Sequence, residues 1–369
     1  MRRHCAIFLP SLRDGGVQRV LIQVARGLAK TGIRTTILVP NLEGPMLKQV
    51  PRDNEGVDIV SLGANTVSGA IVGLLNWLRS NRPQAALSGM KHGNIALIMA
   101  SKVVSPQTRI VVSEHTPLSA SNQKTRSTSK ERLLLSLIPY FYNRSNAVVA
   151  VSHGIRDDLI HLGVDKPKVS VIPNPVVSPE IGVLAKARTG HPWLDVKDLP
   201  VLLGVGRLSA EKDFETLVRA FVELRSTVKA RLIILGEGPQ RQLLENLRDK
   251  LGVTDYVDFP GFVPNPYSYM AKANALAVTS RWEGFGNVIV ESLAVGTPVV
   301  STDCPHGPRE ILLDGQFGEL VPIGNPSAVA QAIHKILLNK TYSPDELKQH
   351  SARYTLDRII PDYIRTLGF

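Results

Sequence analysis

Cysteine is almost missing from this chain: Cys5 and Cys304 are the only two in 369 residues. That excludes a disulfide framework and zinc-ligand spacing, and it suits a reducing cytoplasm. Aromatic residues are scarce as well, at 5%, which argues against base-stacking surfaces. No nucleic-acid motif occurs, so no nucleic-acid partner is expected. No run approaches the roughly 18 apolar residues that a membrane span needs. The opening MRRHCAIFLPSLRDGG runs basic then apolar. Its apolar run is too short for a signal peptide and lacks a small-residue cleavage site, so it reads as a first β-strand. No Asp-x-Asp pair follows a strand, and no metal site is expected. Low-complexity tracts and short repeats are absent.

What is present is the composition of a soluble globular protein, 43% apolar and 20% charged. A chain of this length exceeds one ordinary core and predicts two domains. The net charge of +11 is lopsided. Residues 1–180 hold 22 Lys+Arg against 11 Asp+Glu, and the remainder is neutral. A nucleic acid, an anionic membrane surface or a phosphorylated substrate would each account for a basic first half.

Short apolar runs alternate with helical patterns throughout. Cys5–Leu9, Thr35–Val39, Asp58–Leu62, Ala85–Ser88, Ile110–Ser113, Ala147–Ser152 and Val169–Ile172 are strand-like. So are Val201–Gly206, Arg231–Leu235, Val257–Phe259, Ala275–Thr279 and Pro298–Ser301. The alternation predicts an α/β fold with doubly wound sheets. Residues 176–199, rich in proline and glycine, are expected to form an irregular interdomain linker.

In such sheets ligands gather at the carboxyl ends of the strands. The first strand is followed there by Gly15-Gly16, which permits close backbone approach to a ligand, although a structural turn is the default for such a pair. His115 follows the run IVVSE. It reads either as a hydrogen-bond donor to a sugar hydroxyl or as a satisfied loop histidine. The segment 119–132 is polar and basic and leads into LLLSLIPYFY. That pairing fits a membrane-surface contact, or equally a mobile loop before a core helix.

In the second half, Arg207 and Lys212 follow a strand, and two cations there could hold a diphosphate. The most informative stretch is RWEGFGNVIVESLAVGTPVV, Arg281 to Val300. It reads as a tight loop, a helix and a strand. The N–H groups at the start of the helix favour an anion. Glu283 lies in the loop and Glu291 in the helix. From spacing alone both are solvated charges, but Val290, Leu293 and Ala294 around Glu291 suggest a mostly buried helix. Taken together, these strand ends suit a nucleoside diphosphate carrying a polyol.

The second half resembles the donor domain of family 4 glycosyltransferases of the GT-B fold. The pieces that carry the resemblance are GVGRLSAEKD, LGEGP, DFPGF, SRWEGFGNVIVESLAVGTPVVSTDCPHGPREIL and GQFGELVP. The first half resembles the family through GGVQRV, SEHT, AVVAVSHGIRDDL and VSVIPNPV. The resemblance implies two Rossmann-like domains facing a cleft. Residues 1–175 would form the acceptor side, with a C-terminal helix within 352–369 crossing back onto it, and residues 176–351 would bind the donor. It implies that Gly15, Gly16 and Gly206 lie near the donor diphosphate, and that Arg207 and Lys212 neutralise the leaving phosphates. Glu283 would bind donor-sugar hydroxyls, faced by the N–H groups of Phe285, Gly286 and Asn287. Glu291 would hold the ribose, Glu237 and Phe262 would border the base, and His115 would touch the sugar near its C6 hydroxyl. The implied activity is retaining transfer of a hexose or N-acetylhexosamine from a nucleoside-diphosphate sugar, UDP-linked, with no cofactor or metal. The implied acceptor is a lipid-linked glycan or polysaccharide precursor at the inner face of the plasma membrane. A soluble small acceptor, or a non-catalytic nucleotide-sugar binding module, are the alternatives.

Overall fold

A computed structural model describes residues 3–13, 15–50, 56–119, 129–196, 198–339 and 341–369, with the side chains of 129–132 excluded. Most of the basic segment 119–132 therefore lies outside the described residues. The chain divides into two compact units, Met1–Pro175 with Leu356–Phe369, and Val176–Thr355.

The first unit is built on seven parallel strands: β1 (His4–Phe8), β2 (Arg34–Val39), β3 (Val57–Ser61), β4 (Ala85–Gly89), β5 (Arg109–Glu114), β6 (Ala147–Ala150) and β7 (Val169–Val171). Their order is β3-β2-β1-β4-β5-β6-β7. The interior strands read as apolar runs because helices cover both faces of such a sheet, leaving no wet side to alternate against. The helix Gly16–Lys30 follows β1 and turns Val20, Leu21, Val24 and Leu28 into the core. On it lies the C-terminal helix Leu356–Leu367, whose Leu356, Ile359, Ile360, Tyr363 and Leu367 recur at helical spacing and are buried. Gly27 makes this approach possible, since a Cβ there would sit 2.3 Å from Ile360 Cγ1. Arg109 Nε fastens the far end by donating to the Thr366 carbonyl at 2.8 Å.

The second unit carries six parallel strands: β8 (Val201–Val205), β9 (Arg231–Leu235), β10 (Val257–Gly261), β11 (Ala275–Val278), β12 (Val299–Thr302) and β13 (Glu319–Val321). Their order is β10-β9-β8-β11-β12-β13. The order reverses between β8 and β11, and in open α/β sheets the crevice at such a reversal is where ligands bind.

Two expectations need correction. Residues 176–199 are not irregular: they contain the helices Pro179–Leu184 and Pro192–Val196. Each begins on a proline, which lacks the N–H that a first helical turn leaves unused. The run LLLSLIPYFY is not one helix either. Ser129–Ser136 stops and Ile138–Tyr142 restarts, with Pro139 in the new first turn. Leu133 and Tyr140 are exposed, while Leu135, Ile138 and Tyr142 are buried. Among the described residues no helix is long and apolar enough to cross a membrane.

Candidate functional site

The two strands that flank the reversal in the second unit deliver the two groups at its centre. From the loop after β8, Lys212 Nζ reaches Glu283 Oε1, in the loop after β11, at 2.6 Å. The expected solvated charges are thus absent, as Glu283 is 7% exposed and Glu291 8%. Their burial comes from contacts between loops that are far apart in sequence. Ser280 Oγ also donates to Glu283 Oε1 at 2.6 Å. Both bonds fall on one oxygen, which leaves Oε2 as an acceptor for a ligand hydroxyl.

The two loops are sewn together by their backbones. Arg281 N–H donates to the Glu211 carbonyl at 2.8 Å. Thr279 Oγ1 reaches the carbonyls of Lys212 and Asp213 at 3.1 and 3.0 Å. Arg281 Nε pairs with the buried Asp213 carboxylate at 2.9 Å. Gly206 lies beneath the Lys212 stem, whose Cγ, Cδ and Cε would all be 3.6 Å from a Cβ there. Arg207, the expected second cation, is exposed and makes no ion pair among the described residues. An exposed guanidinium at a strand end can turn to a diphosphate without breaking an existing bond.

Gly286 caps the helix Asn287–Ala294 at φ +102. Together with Phe285 and Asn287 it sets backbone N–H groups at the positive end of a helix. The Phe285 ring is buried edge-on against Tyr354 at 5.5 Å between centroids. Glu291 Oε1 accepts from Tyr267 OH at 3.3 Å. Glu237 pairs with Arg241 at 2.5 Å, and a Cβ on Gly261 would meet Glu237 Oε1 at 2.6 Å. Phe262, which follows Gly261, is exposed. Arg309 is taken up by Asp303 and Asp314. Burial, then the charge of Glu283, pushes the Cys304 thiol up to about 12, so it is no nucleophile.

Ser280, Thr279, Arg281 with Asp213, and Tyr267 are the groups that sequence reasoning missed. The first three stand in or beside the SRWEGFG motif and only their partners were hidden. Tyr267 carries no sequence signal.

Gly15, Gly16 and His115 belong to the first unit. Gly15 is extended and precedes the helix that Gly16 begins. His115 is buried after β5, with Nε2 3.0 Å from Ser113 Oγ. The single Ser113 hydroxyl proton goes to the Ser88 carbonyl at 3.1 Å. With that proton spent, the Ser113 contact takes the imidazole proton at Nε2, and Nδ1 is buried with no hydrogen-bond partner among the described residues. Asn174 lies near the ring and favours its protonated form. Burial lowers the His115 pKa to about 4, against the favourable Asn174 contact, so the ring is neutral at pH 7.

Its neighbour Glu114 shifts the other way, with burial raising its carboxyl to about 7. The groups facing it are Tyr142, the N–H groups of His115 and Thr116, and Lys91 at longer range; each favours the ionised form, and together they do so less than burial opposes it. A folded pKa raised from 4.5 gives stability that is complete below pH 4.5 and lost as pH rises through about 7. His115, lowered from 6.5, loses its contribution as pH falls through about 4. The two slopes oppose each other between pH 4.5 and 6.5. Glu114→Gln is expected to remove one of them. Across the interval between the unfolded and folded pKa values, stability changes by about 1.4 kcal/mol for each step of one in pH. The variant therefore gains about 3 kcal/mol on the wild type between pH 4 and pH 8. Urea titrations at both pH values check this, and a constant difference refutes it.

Residues 14–178 match the family described as Glycosyltransferase Family 4, and residues 192–355 match Glycosyl transferases group 1. One relative is the N-acetylgalactosamine-N,N'-diacetylbacillosaminyl-diphospho-undecaprenol 4-alpha-N-acetylgalactosaminyltransferase of Campylobacter jejuni. It is 31% identical over 277 residues, 73% of each chain. Another is the lipopolysaccharide core biosynthesis glycosyltransferase LpsE of Rhizobium meliloti, 33% identical over 204 residues, 55% of this chain and 57% of the relative. Among solved structures, HepE of Anabaena in complex with UDP and glucose superposes with a TM-score of 0.81 over 99% of both chains at 20% identity, a likeness of fold. With a sheet reversal that joins Lys212 to Glu283, a buried second glutamate on the following helix and these matches along both units, the chain belongs to the family 4 glycosyltransferases, with the GT-B fold.

Proposed function

We propose that the protein is a retaining, metal-independent transferase that moves a hexose or N-acetylhexosamine from a UDP-sugar to a glycan carried on a lipid diphosphate. The observation that carries this is the Lys212–Glu283 pair at the strand reversal. It puts a cation suited to a leaving phosphate beside a carboxylate with one oxygen left for a sugar hydroxyl. The bond from the anomeric carbon to the phosphate oxygen breaks as the acceptor oxygen bonds on the same face. The acceptor proton passes to the departing phosphate. Lys212, Arg207 and the N–H groups of Phe285, Gly286 and Asn287 balance the charge that develops there, so fixed groups do what a metal would otherwise do. Gly206 permits the close approach of backbone to diphosphate, and Gly15 and Gly16 do the same on the acceptor side. Glu291 binds the ribose diol, Glu237 and Phe262 border the base, and neutral His115 touches the sugar near its C6 hydroxyl.

The lipid-linked acceptor is favoured by the relative that acts on a diphospho-undecaprenol glycan and by the excess positive charge of residues 1–180. That charge, with exposed Leu133 and Tyr140, suits a peripheral protein on the anionic inner leaflet.

The test is a panel of nucleotide sugars incubated, with EDTA, with bacterial lipid-linked oligosaccharides or with soluble glycans and read by mass spectrometry. One UDP-sugar adding a single residue to the lipid-linked species is the expected result. Turnover only on soluble glycans, or only with added metal, refutes the corresponding part. Glu291→Ala is expected to weaken UDP binding about 10- to 100-fold, the value of a hydrogen-bonded charge, by calorimetry. Unchanged affinity would remove Glu291 from the ribose.

A further inference from the structure

A buried carboxyl group stands directly behind His115 and has no role in the chemistry above. Glu114 ends β5, is 3% exposed and has no ion pair among the described residues. Its side chain faces the backbone N–H groups of His115 and Thr116, which favour its ionised form. Tyr142 OH donates to Glu114 Oε2 at 2.7 Å. Behind Tyr142, Asn94 Nδ2 reaches both the tyrosine oxygen and the Ser113 carbonyl at 2.9 Å. The chain Asn94–Tyr142–Glu114 therefore begins on a helix and ends on the residue next to the imidazole. A second carboxylate continues the pattern: Asp158 Oδ2 accepts from Leu118 N–H at 2.8 Å and from Ser119 N–H at 3.4 Å. The far end of the segment after β5 thus hangs from Asp158 by its backbone donors, while Glu114 faces its near end.

Burying an acid without a cation is costly. Packing does not require it here, because an apolar side chain would fill the same volume. What an apolar side chain could not do is accept the Tyr142 hydroxyl and attract the backbone N–H groups of His115 and Thr116. The ring itself is gripped at Nε2 by Ser113, whose hydroxyl is in turn fixed on Ser88. With Nε2 committed, the placement of the ring depends on where the backbone of the turn sits.

We propose that Glu114, backed by Tyr142 and Asn94, is the positioning residue for His115. It acts through the turn and not by touching substrate. The inference rests on the reading of His115 as a sugar-contacting group.

The test compares Glu114→Ala, Glu114→Gln, Tyr142→Phe and His115→Ala in the full chain, with the UDP-sugar that supports turnover. Two readouts are used: kcat and donor KM, and the imidazole nitrogen shifts of His115 in 15N-histidine protein, assigned by the His115 variant. Glu114→Ala should lower kcat about 10- to 100-fold, as a misplacement on the order of an ångström does. Donor KM should stay within about threefold, because the diphosphate and ribose contacts are untouched. Glu114→Gln, whose amide oxygen still accepts from the turn, should recover most of the loss, and the His115 shifts should move in the alanine variant and return in the glutamine variant. Should Glu114→Ala not fold, Tyr142→Phe, which removes one hydroxyl, must show the same split to a smaller degree. If His115→Ala abolishes transfer while Glu114→Ala keeps both wild-type kcat and the His115 shifts, the positioning role is overturned and the reading of His115 stands. If His115→Ala transfers normally, the reading of His115 falls and takes the inference with it.

Discussion

Replacing Lys212 with methionine is expected to lower kcat/KM for the nucleotide-sugar donor by about 10²–10³-fold, the loss that follows removal of one preorganised charge-stabilising group. Methionine keeps the aliphatic stem that covers Gly206, so packing is largely preserved and the missing ammonium is what is measured. Stability should fall too. Among the described residues Glu283 would keep only Ser280 as a side-chain donor, and a buried carboxylate deprived of its cation is costly. Because the Lys212 side chain is 23% exposed, water screens part of that cost, leaving about 1–3 kcal/mol. The double variant Lys212→Met with Glu283→Gln separates the two effects. Removing the uncompensated charge should restore most of the stability and none of the activity, since phosphate and sugar contacts are then both impaired. A single variant with kcat/KM within about threefold of wild type would refute the assignment of Lys212 to the leaving group.

The alternation of strands and helices was readable because strands buried on both faces appear as short apolar runs. Ala275–Val278 and Arg231–Leu235 are examples where burial leaves nothing polar to blur the pattern. Where proline sits inside a short element the pattern fails. Pro179 and Pro192 look like linker residues, yet each starts a helix. Residue types at the site were legible for the same reason that the motif is: Glu283, Gly286 and Glu291 are near in sequence. What could not be read was pairing. That Glu283 is buried, and that its partner is Lys212, depends on strands about 70 residues apart meeting at a sheet reversal. The direction of the hydrogen bond that His115 can make was equally hidden. It turns on the Ser88 carbonyl on β4, which takes the Ser113 proton and leaves Nε2 to donate to Ser113.

A methyl group on Gly307 is expected to disable the donor loop from outside it. Gly307 lies at φ +104, and a Cβ there would come 1.8 Å from the Phe285 carbonyl oxygen and 2.5 Å from its carbon. Both atoms are backbone, so no side-chain rotation relieves the overlap. The loop that carries Phe285 and Gly286 must shift, or the turn 304–307 must open, and Glu283 N–H donates to the Pro305 carbonyl at 3.2 Å across the same junction. Left-handed backbone costs an alanine about 1–2 kcal/mol, and overpacking adds about 1–3 kcal/mol. The sum, about 2–5 kcal/mol, corresponds to a fall in Tm of about 10 °C for a unit of this size. Gly324→Ala is the matching control. Gly324 lies at φ +67 with nothing within 4 Å of a Cβ, so it carries the backbone cost alone and should lower Tm by only about 3–6 °C. Calorimetry of both variants, with UDP titrated into each, reads the two contributions apart. The steric part should weaken UDP only in Gly307→Ala, because only there do the N–H groups of Phe285 and Gly286 move. If the two variants melt together and bind UDP alike, the donor loop does not depend on the close approach of Gly307.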